Sequence, residues 1–174
     1  GSLDDDPDQS IYDGYAGIVY AADNGAGDIN CSWGGTAVSF AEEDAVAYAV
    51  GRGCLVVAAA GNEGVSDPFY PASLPGVLSV AATGEDDFWA GFSNNGPGID
   101  MSAPGVGIYT AFDADGYAYW DGTSFSAPIV SGIAALVRAA HPGWTGFQAG
   151  EQLRVTADRL DVVNVDIAAA GRIN

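Results

Sequence analysis

The chain carries two kinds of hydrophobic pattern, one typical of helices and one typical of buried strands. Apolar residues recur at helical spacing over 11–24 and 39–51, whereas 54–60 and 77–82 are almost continuously apolar. Short runs of the second kind suit strands that are buried on both faces of a parallel sheet. The predicted order is helix 11–24, strand 28–34, helix 39–51, strands 54–60 and 77–82, a hairpin over 108–119, and helices 124–140 and 148–156. This alternation predicts an α/β fold with an open, mainly parallel sheet and helices on both faces.

The longest apolar run, residues 129–140, follows the segment Trp120-Asp-Gly-Thr-Ser-Phe-Ser-Ala-Pro128. Pro128 fits a helix only in its first turn, where its missing N–H would have no partner anyway. The run is apolar on nearly every side, which predicts a buried helix. Ser124 then lies at the helix N-terminus, where free N–H groups and the helix dipole favour negative charge. The local pattern leaves two interpretations open for Ser124, namely an N-cap residue or a nucleophile beside an oxyanion site.

The same segment resembles a motif of a known family. Gly122-Thr-Ser-Phe-Ser-Ala-Pro128 is similar to the nucleophile motif of subtilisin-like serine proteases. Further segments resemble other landmarks of that family and follow in the same order, with Val56-Val-Ala-Ala-Ala-Gly-Asn-Glu-Gly64 similar to its oxyanion-hole segment. The remaining landmark segments are 92–97, 100–105, 141–145 and 171–174. The resemblance therefore covers roughly residues 15–174.

This resemblance implies roles for individual residues. Ser124 would be the nucleophile, and the Asn62 side chain together with the Ser124 backbone N–H would form the oxyanion hole. A turn residue is the alternative interpretation for Asn62, because Gly-Asn-Glu-Gly is a good turn sequence. The expected substrate-binding residues are Ser32, Trp33, Gly34, Ala59, Ala60, Gly61, Phe69 and Thr123.

Two of these residues depart from the family's pattern. Trp33 stands where the family commonly has Leu, and its alternative interpretation is plain core packing. Phe69, in the segment that resembles the floor of the main specificity pocket, stands where the family often has a small or polar residue. The preferred substrate therefore cannot be inferred from the resemblance.

The sequence lacks a usable general base. Its one histidine, His141, follows a helix of about 17 residues that starts at Ser124, which separates the two residues by roughly 25 Å. The family's catalytic His and Asp lie in segments upstream of anything present here. Residues 11–174 therefore resemble the C-terminal part of such a catalytic domain, and residues 1–10 an acidic lead-in or the remnant of a trimmed end.

We expect such a chain to be inactive alone and to need a complementary N-terminal part that carries Asp and His. In the family's sheet, the strand at 28–34 pairs with the strand that carries the catalytic Asp, so its free edge is expected to be open here. The alternative function is a non-catalytic, peptide-binding pseudoprotease module. A serine esterase is disfavoured, because the sequence contains no Gly-x-Ser-x-Gly elbow.

The net charge of the chain limits the classes of molecule that it can bind. Five Arg and no Lys face 23 acidic residues, for a formal charge of −18, which disfavours nucleic acid and anionic membranes as partners. A peptide or protein substrate in an extracellular setting is expected instead.

No unbroken run of about 18 apolar residues is present, so no membrane span is expected. No cofactor is implied with certainty. The many acidic residues are interpreted as a solvated surface, and calcium binding is the alternative interpretation. The densest acidic cluster, Asp4–Asp8, lacks metal-ligand spacing.

The two cysteines are predicted to be buried free thiols. Cys31 and Cys54 fall in strands 28–34 and 54–60. If these strands are parallel neighbours, the two residues are staggered by about 10 Å, which is too far for a disulfide.

Overall fold

The computed structural model of the chain describes residues 13–112, 116–159 and 171–174. The predicted alternation of helices and strands is present, with most boundaries within a few residues of the expected ones. The elements in chain order are α1 (Gly14–Asp23), β1 (Asp28–Cys31), α2 (Phe40–Gly51), β2 (Leu55–Ala59), β3 (Val77–Thr83), β4 (Met101–Pro104), β5 (Ile108–Phe112), β6 (Gly116–Trp120), α3 (Thr123–Ala140) and α4 (Gly146–Thr156).

Strands β1 to β4 form a parallel sheet in the order β1-β2-β3-β4. β2 and β3 are buried along their whole length, as their apolar sequences predict. β4 was not predicted, because its four residues, Met-Ser-Ala-Pro, are too few and too mixed to show a period. β5 and β6 form a separate antiparallel hairpin where a hairpin over 108–119 was predicted, and residues 113–115 between the two strands lie outside the described residues.

Helices cover both faces of the sheet, which confirms the expected architecture. On one face, Ile18 of α1 and Val46 of α2 pack with Ile29 and Val56 of the sheet. On the other face, a second cluster of buried residues combines α3 and α4 with β2, β3 and β4, and its members include Val57, Val80, Met101, Val130 and Leu153. The sheet is therefore enclosed between two apolar layers, and burial of this kind is the main stabilising term of such a fold.

The prediction that α3 is a buried helix holds for one of its faces only. α3 packs over all four strands with one face, which carries Ala127, Val130 and Ala134. The opposite face is in contact with solvent, and Leu136 is 71% exposed there. The sequence could not reveal this, because the exposed face is as apolar as the buried one.

The length of α3 also bears on the membrane prediction. Among the described residues, it is the one helix long and apolar enough to cross a membrane, judged by length and composition alone. Core helices of soluble proteins meet the same criterion, and α3 packs one face against four strands. The absence of a membrane partner therefore stays a prediction.

Cys31 and Cys54 are both buried and free, as predicted. β1 and β2 are parallel neighbours, and their register pairs Asp28 with Leu55 and Cys31 with Ala58. The two cysteines are therefore about four strand positions apart, or roughly 13 Å. Burial also raises the pKa of the Cys31 thiol to about 12, so this thiol stays protonated and unreactive.

β1 forms one edge of the described sheet, with β2 on its other side. Its outer edge therefore presents backbone N–H and C=O groups that can accept another strand. We expect the isolated chain to associate through this edge, either with a complementary part or with a second copy. The charge of −18 opposes self-association, so sedimentation velocity should show the chain growing in mass at high salt, where this repulsion is screened. A compact monomer with a cooperative unfolding transition at high salt would contradict this expectation.

Candidate active site

The N-terminus of α3 positions Ser124. Thr123 opens the helix and Gly122 is its N-cap, so the interpretation of Ser124 as the N-cap residue is wrong. The Ser124 hydroxyl donates to the backbone carbonyl of Ser32 at 3.2 Å, and the Ser32 hydroxyl donates to the backbone carbonyl of Ser124 at 2.8 Å. This reciprocal pair ties the first turn of α3 to the segment that follows β1. Ser124 is half-buried, and its backbone N–H lies in the helical turn whose N–H groups have no partner within the helix.

Asn62 lies beside this helix N-terminus. It follows β2 through Gly61, and its Oδ1 accepts hydrogen bonds from the backbone N–H and the hydroxyl of Thr123, both at 2.9 Å. These two bonds occupy the acceptor end of the Asn62 amide and thereby fix which end is the donor. Nδ2 then lies next to Gly122, 3.7 Å from the position that a Cβ would take there. The side-chain donor and the first turn of α3 therefore face the same small region of the surface.

Thr123 lies behind this donor rather than in an open cleft. Its side chain is fully buried, and its Oγ1 also accepts a hydrogen bond from the Gly61 backbone N–H at 3.2 Å. One buried hydroxyl thus joins the start of α3 to Gly61 and Asn62 in the segment after β2. No sequence pattern indicates this contact, because Gly61 and Thr123 are distant along the chain.

The two segments expected to hold an extended ligand lie side by side. Residues 32–34 follow β1 and residues 59–61 end or follow β2, and the parallel register of the two strands brings both to the same edge of the sheet. The carboxyl edge of a parallel sheet is where ligands bind in open α/β folds. Ala59 and Ala60 are buried within the second segment, whereas Gly34 is exposed in the first.

Phe69 lies between these segments. A side chain on Gly34 would collide with the Phe69 ring, and one on Gly61 would meet the same ring at 3.0 Å. Gly35 and Tyr70 exchange two backbone hydrogen bonds of 2.8 and 2.7 Å, which fix the Phe69 segment against residues 32–35. The Phe69 ring therefore closes the space between the two segments, where a pocket floor would lie.

Trp33 packs away from this space. Its ring contacts Tyr15 of α1 edge to face, with centroids 5.0 Å apart, and a Cβ on Gly14 would collide with it. It belongs to the partly buried residues around the core on the α1 side of the sheet. These contacts favour the core-packing interpretation of its side chain and leave its backbone beside Ser32 and Gly34. Burial beside Trp33, together with Glu42 and Cys31, raises the pKa of Tyr15 to about 12.

His141 is remote from Ser124. It is the C-cap of α3, and its ring stacks on Trp144 with centroids 4.0 Å apart. The length of α3 separates it from Ser124 by about 25 Å, as the sequence indicated. His141 is the one histidine in the sequence, so this chain offers no imidazole to Ser124.

Metal binding has no candidate site in the described part of the chain, where no group of three or more His, Cys, Asp or Glu residues could hold an ion. The densest acidic cluster, Asp4–Asp8, which already lacked metal-ligand spacing in the sequence, lies outside the described residues. Calcium binding therefore stays an untested expectation.

Three polar residues near the site were not singled out from the sequence. Ser126 is fully buried and donates to the carbonyls of Ala103 and Pro104, at 3.1 and 3.2 Å. Asn30 donates to the Ser32 hydroxyl at 2.8 Å. Asn94, 2% exposed, bonds to the loop that carries Asn62. A buried polar side chain cannot be told from an exposed one by its type, so only the landmark segment 92–97 pointed towards Asn94.

Comparisons with known proteins agree on one family. The family model of the subtilases, peptidase S8, matches residues 2–169. Alkaline elastase YaB of Bacillus sp. (strain YaB) is 41% identical over 144 residues, which are 83% of this chain and 38% of that protein. Subtilisin BL of Lederbergia lenta is 40% identical over 149 residues, 86% of this chain and 55% of that protein. The solved structure of the prenylagaramide maturation protease PagA matches with a TM-score of 0.83 and 31% identity over 92% of this chain and 63% of that one. The chain thus spans roughly half the length of these curated relatives.

Substitutions of two adjacent glycines, Gly34 and Gly35, test whether the Phe69 ring lies against the 32–34 segment. Gly34→Ala should lower the free energy of unfolding by about 1–3 kcal/mol, because its Cβ would collide with Phe69 and the Tyr70 carbonyl. Gly35→Ala is the matched control, since nothing lies within 4 Å of its Cβ position, and its effect should stay within about 0.5 kcal/mol. Chemical denaturation of the protein that contains this chain measures both. Equal effects of the two substitutions would show that Phe69 does not lie against Gly34.

Proposed function

The chain belongs to the subtilase family, and we propose that it forms part of a serine endopeptidase that hydrolyses peptide bonds through an acyl-enzyme. One observation carries this proposal. The Ser124 hydroxyl, the first turn of α3 and the Asn62 amide converge on one region, with the amide orientation fixed by Thr123. A nucleophile beside oxyanion donors is the arrangement that acyl transfer requires.

In the proposed reaction, Ser124 Oγ forms a bond to the carbonyl carbon of the substrate while its proton passes to a base. The carbonyl oxygen becomes an oxyanion, which accepts hydrogen bonds from Asn62 Nδ2 and the Ser124 backbone N–H. Collapse then breaks the C–N bond, and the amine leaves with the proton from the base. Water releases the acyl group by the reverse sequence of steps. One oxyanion donor of this kind lowers the activation barrier by about 2.7–4 kcal/mol.

The substrate is proposed to be a peptide or protein in extended form. Residues 32–34 and 59–61 would bind its backbone on either side, with Phe69 as the floor of the main pocket. Thr123, which the resemblance suggested as a substrate contact, is fully buried, so we propose that it orients Asn62 instead. The proposed location is extracellular, supported by the acidic composition, which suits a solvated surface in a salty medium.

The base and its orienting carboxylate are proposed to lie on a complementary N-terminal part of the protein. This proposal is supported by the distance of about 25 Å between His141 and Ser124. It is also supported by the alignments, in which the chain spans roughly half the length of each relative. The outer edge of β1 and the exposed face of α3, which includes Leu136, are proposed as the surfaces that this part covers. Among the described residues, the edge of β1 has no neighbouring strand on its outer side and the exposed face of α3 is apolar, and both adjoin elements of the site.

We expect the 174-residue chain alone to show little or no turnover of a peptide amide. Without a base, only the roughly 10³–10⁴-fold acceleration from the oxyanion hole and binding remains available. Addition of the complementary part should restore turnover, measured with a chromogenic peptide. Ser124→Ala is the control and should abolish the restored activity.

The need for a second part would be contradicted if the isolated chain turned over the peptide and Ser124→Ala abolished that turnover. A complete protein that binds peptides without cleaving them would favour the pseudoprotease alternative.

Phe69 should limit the size of the residue on the acyl side of the cut. In the complete protein, Phe69→Gly is expected to widen the preference to bulky aromatic residues, because it opens the space between the two segments. Cleavage profiling with a peptide library measures this. Phe88→Gly is the matched control, since Phe88 is an exposed aromatic residue in another loop. An unchanged profile in Phe69→Gly would mean that Phe69 lies outside the pocket.

A further inference from the structure

Asn94 uses its whole side-chain amide on the loop that carries Asn62. Its Oδ1 accepts hydrogen bonds from the backbone N–H groups of Glu63 and Val65, at 3.0 and 3.2 Å. Its Nδ2 donates to the backbone carbonyl of Ala60 at 3.0 Å and to Glu63 Oε2 at 2.9 Å. With 2% of its surface exposed, Asn94 makes these contacts away from competing water.

These contacts bracket Asn62 on both sides. Ala60 precedes it by two residues and Glu63 follows it directly, and the Asn94 backbone N–H adds a bond to the Gly61 carbonyl at 3.0 Å. The loop needs such support, because residues 62–68 are exposed and belong to no helix or strand. Gly61 has φ 102°, and a Cβ there would collide with Asn94 Nδ2. Glycine at position 61 is therefore what lets Asn94 reach the loop.

From these contacts we propose that Asn94 is a positioning residue for the oxyanion hole. It holds the backbone of the 60–65 loop, whereas Thr123 holds the Asn62 amide from the side of α3. An oxyanion donor stabilises the transition state only when it lies about 2.7–3.1 Å from the oxyanion, and a misplacement of about 1 Å can cost about a hundredfold in rate. The inference rests on the proposed peptidase function for its catalytic consequence, but not for the loop contact itself.

The chemistry of the contact requires an amide. Alanine at position 94 would leave the Ala60 carbonyl and two backbone N–H groups without their partner. Aspartate has the same shape, but it would set a carboxylate oxygen against the Ala60 carbonyl and the Glu63 carboxylate, where like charges repel. Asn95 provides a matched control: it is the next residue, and among the described contacts only its backbone N–H bonds to the loop, at the Val65 carbonyl.

The first experiment measures the local stability of the 60–65 loop and does not depend on activity. Hydrogen exchange of the Glu63 and Val65 amides, followed by NMR in the protein that contains this chain, should speed up at least about tenfold in Asn94→Ala. Asn95→Ala should leave both rates unchanged. If Asn94→Ala fails to fold by circular dichroism, Asn94→Ser takes its place. Unchanged exchange in the Asn94 variant would overturn the proposal, whatever the activity of the protein.

The second experiment measures the catalytic consequence by a double-mutant cycle in the complete protein. Asn94→Ala should lower kcat by about tenfold to a hundredfold with little change in KM. In an Asn62→Ala background the same substitution should lower kcat by less than about threefold, because the donor that it positions is already absent. A merely structural role would give the same loss in both backgrounds, and that result would overturn the proposal. Faster exchange in Asn94→Ala without any peptidase activity of the complete wild-type protein would overturn the proposed function and leave the loop contact established.

Discussion

The packing of one face of α3 against the parallel sheet determines where every other part of the candidate site lies. At the N-terminal end of α3, Thr123 bonds to Asn62, and Ser124 exchanges hydrogen bonds with Ser32. At the other end, Arg138 donates to the carbonyls of Gly27 and Gly53 and pairs with Asp28 at 3.4 Å. Burial raises the pKa of Asp28, and Arg138 opposes that rise. These contacts hold α3 at both ends and thereby fix the position of the short Ser124 side chain relative to the sheet.

The sheet supplies the second constraint. Because β1 and β2 are parallel and in register, the segments that follow them leave the sheet at the same edge and run side by side. The Phe69 loop is fixed across them by the Gly35–Tyr70 bonds. A helix N-terminus and the carboxyl edge of a parallel sheet each favour a ligand, the first through its dipole and free N–H groups and the second through the loops that leave the strand ends. The candidate site lies where the two meet.

The sequence predicted the layered α/β order well, because continuous apolar strands such as β2 and the helical spacing of α2 are strong local signals. It missed β4, whose four residues carry too little pattern, and it misjudged α3, since helical periodicity reveals a buried face only when the other face is polar. The nucleophile motif pointed to Ser124 and the segment after β2 pointed to Asn62. The contacts that orient them, from Thr123 and Asn94, join residues about 30 to 60 positions apart, and no local pattern encodes such contacts.

The central claim is that Ser124 is the nucleophile of a peptidase whose base lies outside this chain. The most direct measurement is the reaction of the complete protein and of the isolated chain with a fluorophosphonate, followed by mass spectrometry of the peptides. We predict one adduct on Ser124 in the complete protein and far slower labelling of the isolated chain. An adduct on another residue, or a folded complete protein that stays unlabelled, would contradict the claim. Equal labelling rates for the chain alone and the complete protein would show that Ser124 needs no base from elsewhere.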